Sequence, residues 1–483
     1  MKISVSWLNL LNSLLGKHNM RKFARTISGV TPVAVMTRPM PCPGQCIYCP
    51  TYQATPQSYT PESPAVLRAK HCDFNAKEQV KLRLKVLSEM GHPTDKVELI
   101  VMGGTFLASP EDYQYQFIKD CYAALNGEES STLEEAKQLN ETASQRCTGL
   151  CLETRPDWCG QDEIDRMLTF GTTRVELGVQ TLDDDIYQLV RRGHRVEDVV
   201  NATTMLREHG LKVHYHWMPG LPGLTPEADL ALSRRLFDDP RFRPDGLKLY
   251  PTMVVGGTEL EKWYRDGRYQ PYDADTMIDL ICQIKSIVPR YVRISRVLRD
   301  IPAKFIVAGL KDSLRGVTRE RMKRQNTECK CIRCREYGHR MREGWQIGEP
   351  KLVRIDYEAS GGKEVFLSFE DEHETLFSLL RMRIQAKPIS QLKPDIDGNL
   401  ALIRELHVYG PEVPLKHQSA EAAQHKGLGK ALLREAERIA RQEFQAPWMV
   451  VLSGTGAKEY YRNECGYNAQ ADYMVKKLLK SRS

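Results

Sequence analysis

Cys42, Cys46 and Cys49 lie in the run Pro41-Cys42-Pro43-Gly44-Gln45-Cys46-Ile47-Tyr48-Cys49-Pro50, with gaps of three and two residues and an aromatic beside the last thiol. Three thiolates on one short loop can hold three irons of a [4Fe–4S] cluster and leave the fourth open. An open iron suits the amino and carboxylate groups of S-adenosylmethionine, whose sulfonium then accepts one electron. A zinc knuckle would need a fourth protein ligand nearby. The close candidates, His71 and Cys72, fit no usual zinc spacing.

Further along, Cys329-Lys330-Cys331-Ile332-Arg333-Cys334 forms a tighter trio. Its one-residue first gap suits a structural zinc, with thiolates about 2.3 Å from the metal. His339 is a candidate fourth ligand, and a cysteine from another part of the chain would serve as well. A zinc here would stiffen a joint and present Arg333 and Arg335 to a polyanion. A third constellation opens a long helix: Gln424-His425-Lys426-Gly427-Leu428-Gly429-Lys430. Backbone N–H groups freed by Gly427 and Gly429 can cradle a pyrophosphate at the positive end of the helix dipole. Tyr460 and Tyr461 follow a strand-like 449–453 segment, the order expected of an acyl-CoA-binding acetyltransferase. Both are candidates for positioning a thioester or donating a proton, and Glu405 is a base candidate.

These groups need a scaffold. Segments 97–102, 174–179, 211–217 and 246–250 read as strands, with helical pattern between them, including 119–139 around a surface loop at 127–132. Strands separated by helical stretches argue for a parallel sheet and a β/α barrel, open or closed. Catalytic residues of such barrels sit at the C-terminal strand ends. Gly103 and Gly104 fall there, as do Glu153, Arg155 and the 176–180 segment ending in Gln180, which offer carboxylates and amides for ribose hydroxyls. Segments 351–357, 364–369 and 400–408 read as strands of a second α/β unit, with a helix over about 427–444. The expected organisation is a helical extension (1–20), a barrel domain (21–313), a basic cysteine-bearing linker (314–345) and an acetyltransferase domain (346–483).

Composition and charge narrow the class. At 483 residues the chain exceeds what one core holds. No apolar run approaches the roughly 20 residues of a membrane span. Thirteen cysteines without a regular framework suit metal binding in a reducing cytoplasm rather than disulfides. The net charge of +7 is concentrated. Residues 1–61 hold six Lys/Arg and no acid, including Arg21, Lys22 and Arg25. Ten Lys/Arg against three Glu lie between Arg315 and Arg342, among them Arg319, Arg321, Lys323 and Arg324. Arg290, Arg293, Arg296 and Arg299 recur every third residue beside Asp300. Three such zones suggest a nucleic-acid surface whose affinity falls steeply with salt.

The run 25–30, the segment 33–37, the Cys42/Cys46/Cys49 triad, Glu153-Thr154-Arg155-Pro156-Asp157, the stretch 292–302 and the 424–429 loop resemble the catalytic subunit of the Elongator complex, from about residue 20 to the C-terminus. The short N-terminus is similar to single-chain bacterial and archaeal members. That resemblance implies a partial (β/α) barrel of radical SAM type joined through a zinc-binding linker to a GNAT-type acetyltransferase α/β domain. It implies tRNA wobble-uridine carboxymethylation: a radical drawn from S-adenosylmethionine removes a hydrogen from the methyl group of acetyl-CoA, and the acetyl carbon adds to carbon 5 of the uridine. The partner would be a tRNA anticodon stem-loop gripped by the basic zones, with no membrane; a monomer or a homodimer is compatible with it. The rival reading is a protein lysine acetyltransferase with the barrel as scaffold. Such an enzyme needs an acidic groove for a basic peptide, and the zones here are basic.

Overall fold

In the computed structural model, residues 26–311, 314–392, 396, 399–410 and 427–478 are described. The 1–20 extension and Arg21, Lys22, Arg25, Gln424 and Lys426 lie outside them. The first sheet contains β1 (Thr31–Met36), β2 (Lys96–Met102), β3 (Arg146–Thr154), β4 (Arg174–Gln180), β5 (Lys212–Trp217), β6 (Gly246–Leu249) and β8 (Arg293–Val297). They pair in that order and every pairing is parallel, giving a half-barrel. A small antiparallel ladder of β7 (Val254–Val255) and β9 (Ile306–Ala308) hangs on its rim.

Three of these strands are absent from the sequence reading. β1 is short and led by Pro32, which reads as a turn, whereas β3 carries Gly149 and polar residues and three of the five residues of β8 are arginine or serine, so those two show no continuous apolar run. The helical pattern expected over 119–139 around the 127–132 loop is a pair of helices, Glu111–Asn126 and Leu133–Asn140, with that loop between them. Gly127, at φ 79°, ends the first, and the Thr132 side chain accepts from the Glu135 backbone N–H to begin the second.

The second sheet has the order β10 (Lys351–Ala359), β11 (Gly362–Glu370), β12 (Leu376–Gln385), β13 (Leu400–Val408), β14 (Trp448–Val451), β16 (Tyr473–Lys477) and β15 (Asn468–Gln470). It is antiparallel except between β13 and β14. That parallel pair is bonded only over Leu400–Ile403 and Trp448–Val451, so β13 continues to Val408 paired with β12 alone and a wedge opens on its β14 side. β12 escaped the sequence reading because it is buried on both faces and carries Arg381 and Arg383 among its apolar residues.

The two sheets share one core. Val33, Leu99 and Leu150 of the half-barrel belong to the same buried cluster as Leu379, Leu402 and Val450 of the second sheet. Tyr291 stacks on Tyr357 at 4.0 Å, and the Tyr122 hydroxyl meets Thr455 Oγ1 at 3.0 Å. At the centre, Asp245 accepts from Arg404 Nη1 and Nη2, each at 2.7 Å. The 314–345 segment, expected as a linker, packs into this core through Leu314, Met322, Cys331 and Ile332.

Candidate active site

The cysteine loop caps a cavity of about 460 Å³ inside the half-barrel. Each sulfur receives one N–H donor at 3.4 Å: Gly44 N to Cys42, Arg192 Nη1 to Cys46 and Gln57 Nε2 to Cys49. Such donors offset the negative charge that cluster-bound thiolates accumulate. Among the described residues, the ligand atoms of Cys329, Cys331 and Cys334 close to within 4.8 Å of one another, and the Cys42/Cys46/Cys49 triad forms no such close group. A single tetrahedral ion at about 2.3 Å holds its sulfurs about 3.8 Å apart, whereas separate irons of one cube hold theirs further apart. The donor sets therefore fit a cluster on the first loop and one ion on the second. His339 does not join the trio; its Nε2 lies 3.5 Å from Glu336.

Gly104, Glu153, Arg155 and Gln180 all line the cavity. Gly103 is packed instead: at φ 137°, a β-carbon there would meet Thr37 Oγ1 at 1.9 Å. Arg155 is fixed by a two-point pair with Asp157, at 2.9 and 2.8 Å, and still has a buried Nη1 without a partner. Gln180, at φ 72°, carries an equally orphaned Oε1. A non-glycine residue held in that region marks local strain, and unpaired buried polar atoms beside a cavity fit a polar ligand.

Deeper in, Lys248 contacts Glu176 and lies 3.4 Å from Glu153 Oε1. Tyr59 donates to Glu153 Oε2 at 2.9 Å, and His216 Nε2 lies 3.2 Å from Glu176. Burial opposes the charge on Lys248, yet Glu176, Tyr250 and Glu153 outweigh it and raise its pKa above the ordinary lysine value. Burial likewise opposes ionisation of Glu176, but Lys248, His216 and Arg174 hold it well below the usual carboxylate range. Lys248, Tyr59 and Arg192 were not found from sequence. Each is a single residue from a separate element, although Lys248 interrupting an apolar strand was a readable signal.

In the second domain, the Leu428–Gln442 helix starts at Gly427, φ 77°, with no side-chain cap among the described residues and no acid in its first turn. A β-carbon on Gly429 would lie 3.5 Å from Val408 and 3.7 Å from the Tyr460 hydroxyl. Tyr460 thus faces the helix start, beside the wedge between β13 and β14. Tyr461 belongs to the helix-side core, edge-on to Tyr460 and Tyr467. Leu428 begins the helix, and Lys430 pairs with Glu464 at 2.7 Å. Glu405 takes a different part from the expected base. It accepts from Arg381 Nε at 2.8 Å and Lys212 Nζ at 3.3 Å, linking the two sheets. Burial would raise its pKa, but Lys212, Arg381 and His407 hold it far below the usual carboxylate range.

The basic zones divide. Arg296 and Arg299 line the cavity mouth, Arg296 2.9 Å from Asp300 and Arg299 donating to Ser58 Oγ at 2.7 Å. Arg293, at the N-terminal end of β8, lines the same cavity and pairs with Glu336. Arg319 pairs with Glu343 and Arg321 with Asp279, at 2.5 and 2.8 Å, while Lys323 and Arg324 are exposed. Arg335 is not presented to solvent: it is 1% exposed and 2.7 Å from Glu370.

The Radical SAM superfamily model matches residues 41–234, and the Radical_SAM C-terminal domain model matches residues 244–324. The tRNA uridine(34) acetyltransferase of Dehalococcoides mccartyi (strain CBDB1) is 65% identical over 459 residues, covering 95% of this chain and 100% of that protein. The protein of the same name from Methanocaldococcus jannaschii is 48% identical, over 95% of this chain and 86% of its own. Elongator complex protein 3 of Homo sapiens is 40% identical, over 94% and 85%. Archaeal Methanocaldococcus infernus Elp3 with an N-terminal deletion superposes with a TM-score of 0.83 at 44% identity, covering 94% of this chain and 100% of that one. At this identity, over nearly its whole length, the chain belongs to the family of tRNA uridine(34) acetyltransferases and Elongator complex protein 3.

Proposed function

We propose that this chain carboxymethylates carbon 5 of a tRNA wobble uridine, using acetyl-CoA and S-adenosylmethionine. The observation that carries the reading is the fusion, through one shared core, of a cavity capped by three N–H-bonded cysteines and a glycine-led helix start faced by the Tyr460 hydroxyl. The names of the relatives support it and do not favour the lysine acetyltransferase alternative.

Cys42, Cys46 and Cys49 would hold a [4Fe–4S] cluster, and Gly104, Arg155 and Gln180 would bind S-adenosylmethionine beside it. When bound, this pair supplies one-electron cleavage of the sulfonium. The backbone of 427–430 would cradle the pyrophosphate of acetyl-CoA, with Gln424 and Lys426 beside it. The pantetheine arm would run into the β13–β14 wedge, where the Tyr460 hydroxyl can donate to the thioester carbonyl; Tyr461 would support that ring from the core. Cys329, Cys331 and Cys334 would hold a zinc that stiffens the joint. Arg296 and Arg299 at the cavity mouth, with exposed Lys323 and Arg324, would grip RNA phosphates. Arg21, Lys22 and Arg25, outside the described residues, are proposed as RNA contacts from sequence alone. Thirteen free thiols suit a reducing cytoplasm.

Mass spectrometry of anticodon nucleosides after incubation with purified protein, both cofactors and tRNA tests the reading. Carboxymethyluridine is the expected product, and acetylated protein with unchanged RNA contradicts it. In the same assay, Gly427→Glu sets a carboxylate against the expected pyrophosphate. Acetyl-CoA affinity should fall by roughly tenfold or more, the effect of an unfavourable charge of about 1.4 kcal/mol, while sulfonium cleavage continues.

A further inference from the structure

Glu153, Glu176 and His216 bring ligand atoms within 4.8 Å of one another, the geometry of a metal site. The ammonium of Lys248 already contacts both carboxylates, so this cluster carries its own cation. Glu176 is 2% exposed and fixed by His216 at 3.2 Å and Arg174 at 3.6 Å. Lys248 and Glu153 are each 12% exposed and line the cavity. Tyr59 occupies Glu153 Oε2 and leaves Oε1 beside Lys248 Nζ. The cavity wall therefore presents one obligate donor and one obligate acceptor side by side, both held by partners behind them. Arg155, whose Nη1 would lie 2.2 Å from a β-carbon on Gly44, and Gln180 carry the orphaned atoms nearer the cysteine loop. That leaves the Glu153–Lys248 pair for a second ligand. Tyr59 and Tyr250 line the same space and offer aromatic surface to a planar ring.

The geometry points to Lys248 and Glu153 as the residues that select uridine. Resting on the tRNA reading above, this assignment has Lys248 donating to O4 of the flipped base while Glu153 accepts its N3–H. Cytosine presents the reverse pattern, an amino donor at carbon 4 and a bare N3 acceptor, and would set like against like at both positions. The S-adenosylmethionine site would then sit toward the cysteine loop and the base below it.

Binding of anticodon stem-loops that differ only at the wobble base, measured by fluorescence anisotropy on cluster-loaded protein, tests the pair. Wild-type protein should prefer uridine over cytidine by roughly 10- to 100-fold, the discrimination of one good two-point base contact. N3-methyluridine, which lacks the N3 proton, should bind like cytidine. Glu153→Gln and Lys248→Met should each bring the uridine/cytidine ratio to within about threefold of unity. A purely structural role would lower both affinities and keep their ratio. The assignment is overturned if either variant retains the wild-type ratio, or if N3-methyluridine binds as uridine does. Wild-type protein that binds no stem-loop overturns the tRNA reading itself, a result distinct from binding without base preference.

Discussion

Replacing Cys46 with alanine is expected to drop iron in anaerobically reconstituted protein from about four per chain to below about one. Cleavage of S-adenosylmethionine should fall by at least about a thousandfold, a barrier increase of some 4 kcal/mol or more. Iron and labile-sulfide assays with methionine release check both. The effect is large for two reasons that the geometry separates. One corner of the cluster loses its thiolate. In addition, the Arg192 guanidinium, 6% exposed and bonded to Cys46 Sγ at 3.4 Å and to the Gly178 carbonyl, loses one of its acceptors. Retention of full iron content and cleavage by the variant would remove Cys46 from the cluster.

The second large effect is on stability. Asp245→Ala should destabilise the protein by about 3–5 kcal/mol, because it removes the buried carboxylate that Arg404, Arg381 and Arg207 share and leaves their charge under-compensated. Asp245 is 0% exposed, with Arg404 at 2.7 Å, Arg381 at 3.5 Å and Arg207 at 3.8 Å, and it also accepts from Val213 N at 2.9 Å. Glu364, 2.8 Å from Arg404, and Glu405, 2.8 Å from Arg381, are the acids that would remain. Equilibrium urea unfolding of wild type and variant measures the difference, and a change below about 1 kcal/mol would show the network to be dispensable. The pH dependence has a definite sign. Burial opposes ionisation of Asp245 and Glu364, but the arginines hold both pKa values below those of the unfolded chain. Their contribution is therefore present above the unfolded carboxylate values, near about pH 4, and is lost as pH falls below them.

How much was readable in the sequence depended on whether the residues acted locally. The Cys42/Cys46/Cys49 loop and the Gly427–Gly429 helix start are contiguous, so spacing alone singled them out as candidates. Strands β4, β5 and β13 were legible through apolar pattern. β12 was not, because Arg381 and Arg383 break that pattern, and their partners Asp245 and Glu364 lie far off in the chain. The same distance hid the cavity wall: Tyr59, Glu153, Glu176 and Lys248 come from four segments that meet only in the fold. Glu405 was misjudged for a related reason. Arg404 is an extra residue in β13 where the register with β12 shifts, so Arg404 and Glu405 both turn toward the half-barrel, and Glu405 meets Lys212 there. The loop at 127–132 was legible, because Gly127 ends one helix in a left-handed turn and Thr132 caps the next; the start of the first helix at Glu111, eight residues before 119, was not.

The claim that two sites in one rigid body serve a single nucleotide is tested most directly by isotope transfer. Cluster-loaded protein is incubated with S-adenosylmethionine, tRNA and acetyl-CoA carrying carbon-13 in its methyl group, and the nucleosides are analysed by mass spectrometry. The account predicts label in a substituent on carbon 5 of the wobble uridine, dependent on both Cys46 and Gly427. Label on protein lysines with unlabelled RNA, or a modified uridine without label, would contradict it.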